Sequence, residues 1–113
     1  MPNVIFTPQA DRQIAIVLNH TLAVFGVLQR DKYDRLINAA IKDLEINPLY
    51  GKHRPDIHTD AWTYHIRRRG GHARHLFLYR IRDKVEIARF LHDAMDIPRH
   101  WPEEWGIPES QKN

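Results

Sequence analysis

The chain has 113 residues, 42% of them hydrophobic, a formal net charge of +3 and no cysteine. That suffices for one domain with a core of its own, and it excludes disulfides, thiolate metal sites and a cysteine nucleophile. The single serine, Ser110, sits in a polar C-terminal stretch and argues against a serine hydrolase.

The first residues, Met1 to Asp11, show no basic segment followed by a long apolar run, so no signal peptide is expected. No apolar run approaches the ~20 residues that span a bilayer. The expectation is a soluble, cytoplasmic protein with no membrane partner.

Val4, Ile5 and Phe6 suit a short strand. Thr7 is a candidate N-cap and Pro8 suits the first helical position, where its missing N–H costs nothing. Ile14, Val17, Leu18, Leu22 and Phe25 then form a helical stripe, closed by Gly26 as a C-terminal cap. A second stripe, Tyr33, Leu36, Ile37, Ala40, Ile41 and Leu44, has the cleanest helical spacing in the chain. Asp31 is its candidate N-cap, and it should end before Pro48. A linker of a few residues implies an antiparallel helix hairpin.

Residues 48–60 read as a loop, with Pro48, Gly51 and Pro55. Alternation then begins: Trp62, Tyr64 and Ile66 point one way, and Thr63, His65 and Arg67 the other. Gly70-Gly71 marks a turn. His75 to Ile81 is apolar on both faces, as a central strand covered on both sides should be. Arg82-Asp83-Lys84 makes a tight connection to a last strand, Val85 to His92. Pro98, Pro102 and Pro108 make the rest irregular, with Trp101 and Trp105 docking weakly on their own domain. The order predicts an α+β fold: a short strand, an antiparallel helix hairpin, then a three-stranded antiparallel meander with an irregular tail.

Charge is segregated. Between Asp60 and Asp83 there is no acidic residue, while Arg67, Arg68, Arg69, Arg74, Arg80 and Arg82 fall in that interval. Such a strip suits an anionic partner, or is a solvated basic surface.

The ordered set resembles the RelE/ParE superfamily of toxins from bacterial type II toxin–antitoxin modules. It comprises the hairpin ending in Asn47-Pro48, the Gly51 loop and His75 to Ile81, then Leu91 to Asp96 (LHDAMD) and Ile97 to Trp101 (IPRHW). The histidine and apolar run ending in Tyr-Arg-Ile, followed by Leu-His and Met-Asp, is similar to the ParE-like branch. The resemblance spans about residues 3–101, giving one toxin domain over 1–101 and a polar tail over 102–113. It implies a plasmid-stabilization type of toxin, neutralised by a cognate antitoxin that supplies an acidic or amphipathic segment. A ParE-like member would inhibit DNA gyrase and arrest growth with no hydrolytic site. A RelE-like member would be a ribosome-dependent mRNA endonuclease. A non-toxic basic binding adaptor is the third reading.

RNA cleavage needs a base for the 2′-hydroxyl, cations for the phosphorane and an acid for the leaving oxygen. The candidates are Arg67, Arg74, Tyr79, Arg80 and His92, arginine because its planar fork suits phosphate. The set is incomplete against the RelE-like pattern: Lys52 is the only lysine near the expected place, and no tyrosine follows Tyr79. Tyr79 is therefore read as a sheet residue and His92 as structural, and the chain as a binder rather than an enzyme. His53 with His58, or His72 with His75, could be read as metal-ligand pairs, but structural zinc takes four ligands, often cysteines. No metal or cofactor is expected. The resemblance puts the target surface at Arg89, His92, Met95, Asp96, Arg99 and Trp101. Apolar residues partly off the core stripe, Ile16, Leu22, Val24 and Val27, with Arg68, Arg69 and Arg82, are the expected antitoxin surface, taking a helix or an added strand.

Overall fold

The computed structural model describes residues 3–68 and 71–106, the side chain of His72 excepted. The elements are β1 (Val4–Phe6), α1 (Pro8–Phe25), α2 (Val27–Ile46), β2 (Lys52–His53), β3 (Trp62–Arg68), β4 (Gly71–Ile81) and β5 (Val85–His92). Three 3-10 turns cover Pro48–Tyr50, Ile97–His100 and Glu103–Trp105. The sheet order is β1-β5-β4-β3-β2. Only β1 and β5 pair in parallel; the other neighbours are antiparallel, as the α+β reading expects.

Central β4 is buried on both faces. Phe77 and Tyr79 enter the core under the helices, with Ile37, Leu44, Ile87 and Phe90. Leu76 and Leu78 enter a second core on the reverse face, with Ile57, Ala61, Leu91, Ile97 and Trp101. This is the period of a strand with both sides occupied. The second core is closed by residues 54–61 and by a strap, residues 97–105. Residues 102–106, expected as part of a tail, continue this packing. Pro102 is fully buried, and the Trp105 ring lies 3.8 Å from the Arg80 guanidinium carbon. Residues 107–113 lie outside the described residues.

Thr7, between β1 and α1, joins both to β5. Its N–H donates to the Ile87 carbonyl, its hydroxyl donates to the Ala88 carbonyl at 2.6 Å, and its oxygen accepts from the Ala10 N–H at 3.1 Å. The cap thus starts α1 and ties it to β5.

The hairpin differs from expectation in two ways. A single residue, Gly26, links the helices, and α2 begins at Val27, so Asp31 lies inside the helix and caps nothing. Gly26 has φ +90°, a conformation that glycine adopts without steric cost and that turns the chain in one step. Second, Leu22 and Phe25 do not reach the core; Phe25 is 66% exposed. The buried helical residues are Ala10 near the start of α1 and Ile37, Ala40 and Leu44 in the later part of α2. The Gly26 end therefore projects past the sheet, consistent with a molecule 46 Å long and 30 by 28 Å across. Two strand bounds also differ. Residues 52–53, expected as loop, pair as β2 with Trp62 and Thr63, and β4 starts at Gly71 rather than His75. Gly70, half of the expected turn, lies outside the described residues.

Beyond α2 the chain is pinned to the core. Asn47 accepts the Leu49 N–H at 3.0 Å, and the Tyr79 hydroxyl donates to the Pro48 carbonyl at 2.7 Å. Gly51 passes so close that a Cβ there would collide with the Tyr79 hydroxyl and lie 2.7 Å from the Thr63 carbonyl oxygen. Gly51→Ala should therefore destabilise the fold by about 1–3 kcal/mol through overpacking, and Tyr79→Phe by about 1 kcal/mol through the lost hydrogen bond. The double variant should be more stable than the sum of the two losses implies, because removing the hydroxyl removes part of the clash. Urea unfolding of the four proteins measures this; strict additivity would contradict it.

Candidate functional site

A groove of about 710 Å3 lies between the projecting hairpin and the adjoining ends of β3 and β4. Ile16, Val17, Phe25, Tyr33 and Leu36 line its helical side. Ala73 and His75 line its sheet side, and Lys32, Arg68 and Arg74 supply cationic groups. The wall is apolar because the helices outrun the sheet: positions that an internal core would cover stay open to a partner.

His75 organises the sheet side. Its Nδ1 lies 2.8 Å from the Tyr33 hydroxyl, its ring stacks on Phe90 with centroids 5.1 Å apart, and His92 meets it edge-on. Burial pushes the His75 pKa below its ordinary value; the neighbouring His92 adds to this, and Asp93 opposes it. Neutral His75 with its proton on Nε2 can accept the Tyr33 O–H. Burial pushes the Tyr33 phenol up to about 12, against a lowering by Arg68, so Tyr33 keeps its proton and remains a donor at neutral pH.

Asp93 sits beside the groove as a shared anion. Arg74 Nε approaches it at 3.3 Å, and His65 Nε2 and His92 Nδ1 each lie 3.7 Å away. Side chains from β3, β4 and β5 are thereby linked at the end of β5.

A second, polar groove of about 700 Å3 borders the first along β3. Tyr50, Gly51, Lys52 and Arg54 line one side, and Tyr64, Arg67 and Arg68 the other; Arg68 lines both grooves. A third surface follows β5, where Met95, Asp96 and Arg99 are exposed and Asp96 pairs with Arg99 at 3.3 Å.

The ribonuclease candidates do not converge. The Tyr79 side chain is fully buried, its hydroxyl donates to the Pro48 carbonyl, and burial pushes its pKa far above the ordinary value. It is a core residue, not an acid in a cleft. Arg80 is held by Glu86 at 2.7 Å and covered by Trp105. Arg67 faces the polar groove, while Arg74 and His92 line the apolar one. Of the residues expected on the target surface, Met95, Asp96 and Arg99 share an exposed turn. Arg89 and His92 are half-buried on β5, the Arg89 guanidinium donating to the Ala88 carbonyl. Trp101, on the inner side of the strap, is 3% exposed and offers no surface of its own.

Of the expected antitoxin residues, Ile16 and Arg68 line the apolar groove. Leu22, Val24 and Val27 are exposed on the projecting hairpin. Arg82 follows the far end of β4, roughly 30 Å along the strand from the Arg68 end, and pairs with Asp60 at 3.3 Å. It joins neither groove. Arg69 lies outside the described residues. Sequence reasoning missed Tyr33 as a groove residue and the pairing of His75 with it. Tyr33 looked like part of the core stripe, and only the fold brings the two together.

His53 and His58, a candidate metal-ligand pair, are otherwise engaged. His53 Nε2 lies 2.7 Å from the Thr59 carbonyl oxygen, and His58 stacks on Trp101 while its Nδ1 accepts the Asp60 N–H. The side chain of His72 lies outside the described residues. Among the described residues no group of three or more candidate ligands gathers around one point. No described helix is long and apolar enough to cross a membrane.

A family model described as the ParE toxin of the type II toxin–antitoxin system parDE matches residues 4–97. Among solved structures, a chain from the chromosomal ParDE toxin–antitoxin system of P. aeruginosa is similar with a TM-score of 0.67 and 18% identity. The match covers 81% of this chain and 96% of that one. At that identity the likeness speaks to the fold. No curated protein matches the chain significantly.

The His75 environment has a pH consequence. Its folded pKa lies below the ordinary 6.5, so the unfolded chain takes up the proton more readily. The stability tied to neutral His75 is complete above 6.5 and is lost as pH falls through the folded value. Denaturant midpoints measured between about pH 8 and pH 5 should fall on acidification, and fall less in His75→Gln, which keeps an acceptor for Tyr33. Equal slopes would contradict the assignment.

Proposed function

The chain belongs to the family of ParE toxins of type II toxin–antitoxin systems, and from that membership we propose that it arrests growth by binding DNA gyrase and is neutralised by an antitoxin helix lying in the apolar groove. The observation that carries the antitoxin half is the groove itself, an apolar helical wall with Lys32, Arg68 and Arg74 around it. An amphipathic helix fits such a groove with its apolar face inward, and acidic residues on its flanks meet the cations.

The target half rests on the turn after β5. Met95 is 48% exposed with Asp96 and Arg99 beside it, and these residues stand on the buried strap. An exposed methionine next to an arginine suits a protein contact. The scatter of Tyr79, Arg80, Arg67 and His92 over the core, the strap face and two grooves supports action by binding rather than by RNA cleavage. Trp101 and Ile97 enter this reading as the buttress under the turn, not as contacts. Deleting residues 97–113 would open the reverse core, so point substitutions are the cleaner probe.

The purified, antitoxin-free protein should inhibit gyrase-catalysed supercoiling near stoichiometric levels. Combined Met95→Ala and Arg99→Ala should weaken inhibition about tenfold or more, the loss of one interface hot spot, while antitoxin binding stays unchanged. Ile16→Glu should do the reverse. A folded protein that leaves gyrase untouched sinks the target assignment.

A further inference from the structure

The polar groove along β3 shares only Arg68 with the contacts proposed above, and its chemistry is specific. Lys52 and Arg54 line one side and Arg67 and Arg68 the other, and no carboxylate is among its lining residues. Arg54 is engaged by Asp56 through two nitrogens, at 3.0 and 2.8 Å. Among the described residues no carboxylate lies within ion-pair distance of Lys52, Arg67 or Arg68. The Tyr64 hydroxyl donates to Asp43 at 2.7 Å, and Arg67 lies over the Tyr64 ring, 5.9 Å from its centre. At the mouth Tyr50 is 54% exposed, with Leu49 exposed beside it. Cations on both sides and an accessible aromatic ring at one end match the elements of single-strand binding: charges that follow the backbone and a ring on which a base stacks.

We propose that the groove bounded by Lys52, Arg54, Arg67 and Arg68 binds the sugar–phosphate backbone of a nucleic-acid strand, with Tyr50 stacking against a base. The competing occupant is an acidic peptide added to the sheet edge. The edge is poorly made for that. β2 pairs with β3 only at Trp62 and Thr63, and the register of β3 shifts between His65 and Arg67, so the backbone beyond it offers no even ladder. Phosphates need only cations and scattered donors. Arg68 lines both grooves, so it is left intact in the test.

The test uses the full chain without gyrase or antitoxin, so its failure leaves the gyrase reading standing, and the reverse. Fluorescence anisotropy would follow labelled single-stranded RNA, single-stranded DNA and duplex DNA of one sequence over a range of salt. Binding should weaken with salt, and Lys52→Ala with Arg67→Ala should reduce the single-strand slope by about 1.4 in log–log terms, two phosphate contacts' worth. Tyr50→Ala should weaken single-strand binding about tenfold, whereas Arg35→Ala, on the exposed side of α2, should change nothing. The order of the three probes identifies the source of the strand. Absence of binding by protein shown to be folded overturns the proposal, as does unchanged binding by the Lys52/Arg67 variant. Equal affinity for polyglutamate would also overturn it, since the groove would then be a general anion surface.

Discussion

The two-sided burial of β4 is the constraint on which the rest of this molecule depends. Its backbone is hydrogen-bonded to strands on both sides, and its side chains alternate between two cores. A strand of that kind must be covered above and below. The helix hairpin supplies one cover. Residues 54–61 and the strap at 97–105 supply the other, with His58 stacked on Trp101 and Trp105 set against both Trp101 and Arg80. Removing either cover would expose a row of large apolar side chains.

The surfaces follow from how these covers fit. The helices are longer than the sheet beneath them: their fully buried residues lie at the opening of α1 and in the later part of α2, and Ile14, Val17, Leu18, Tyr33 and Leu36 pack against the core only in part. The Gly26 end is left with Phe25 and Leu28 exposed, Leu28 to 79%, and Phe25 joins Ile16, Val17, Tyr33 and Leu36 in the helical wall of a groove. On the reverse face the strap seals the core and carries the exposed turn at Met95 to Arg99. A small domain can in this way keep its stability in the interior and leave distinct surfaces: an apolar groove at one end, a cationic one along an incomplete edge, and a turn after β5.

Much of the fold was legible in the sequence. Two stripes at helical spacing, an alternating strand at Trp62 to Arg67, and a run apolar on both faces at His75 to Ile81 each have a local period. The Thr7-Pro8 start has a local chemical cause. Where reading failed, the deciding information was not local. The choice between Gly26 and Asp31 as the start of α2 depends on the chain reversing in one residue. A two-residue strand such as β2 has no period to detect. Phe25 belongs to a proper stripe, and nothing in the stripe says that the sheet ends before reaching it. The candidate site was half legible. Ile16 and Arg68 stood out as off-stripe apolar and basic residues, but the Tyr33–His75 contact joins residues 42 apart. Arg82, adjacent in composition to the other arginines, is separated from them by the length of a strand. The family resemblance to ParE-like toxins, carried by the ordered motifs, is supported independently by the family match and by the fold.

In the proposed reading the antitoxin docks in the apolar groove. Hydrogen–deuterium exchange of the chain with and without its cognate antitoxin would locate the contact. Slowed exchange over residues 16–36 and 71–75, with residues 95–99 unchanged, is the predicted result. Protection confined to the turn after β5, or to the edge along β3, would contradict it and move the antitoxin to another face.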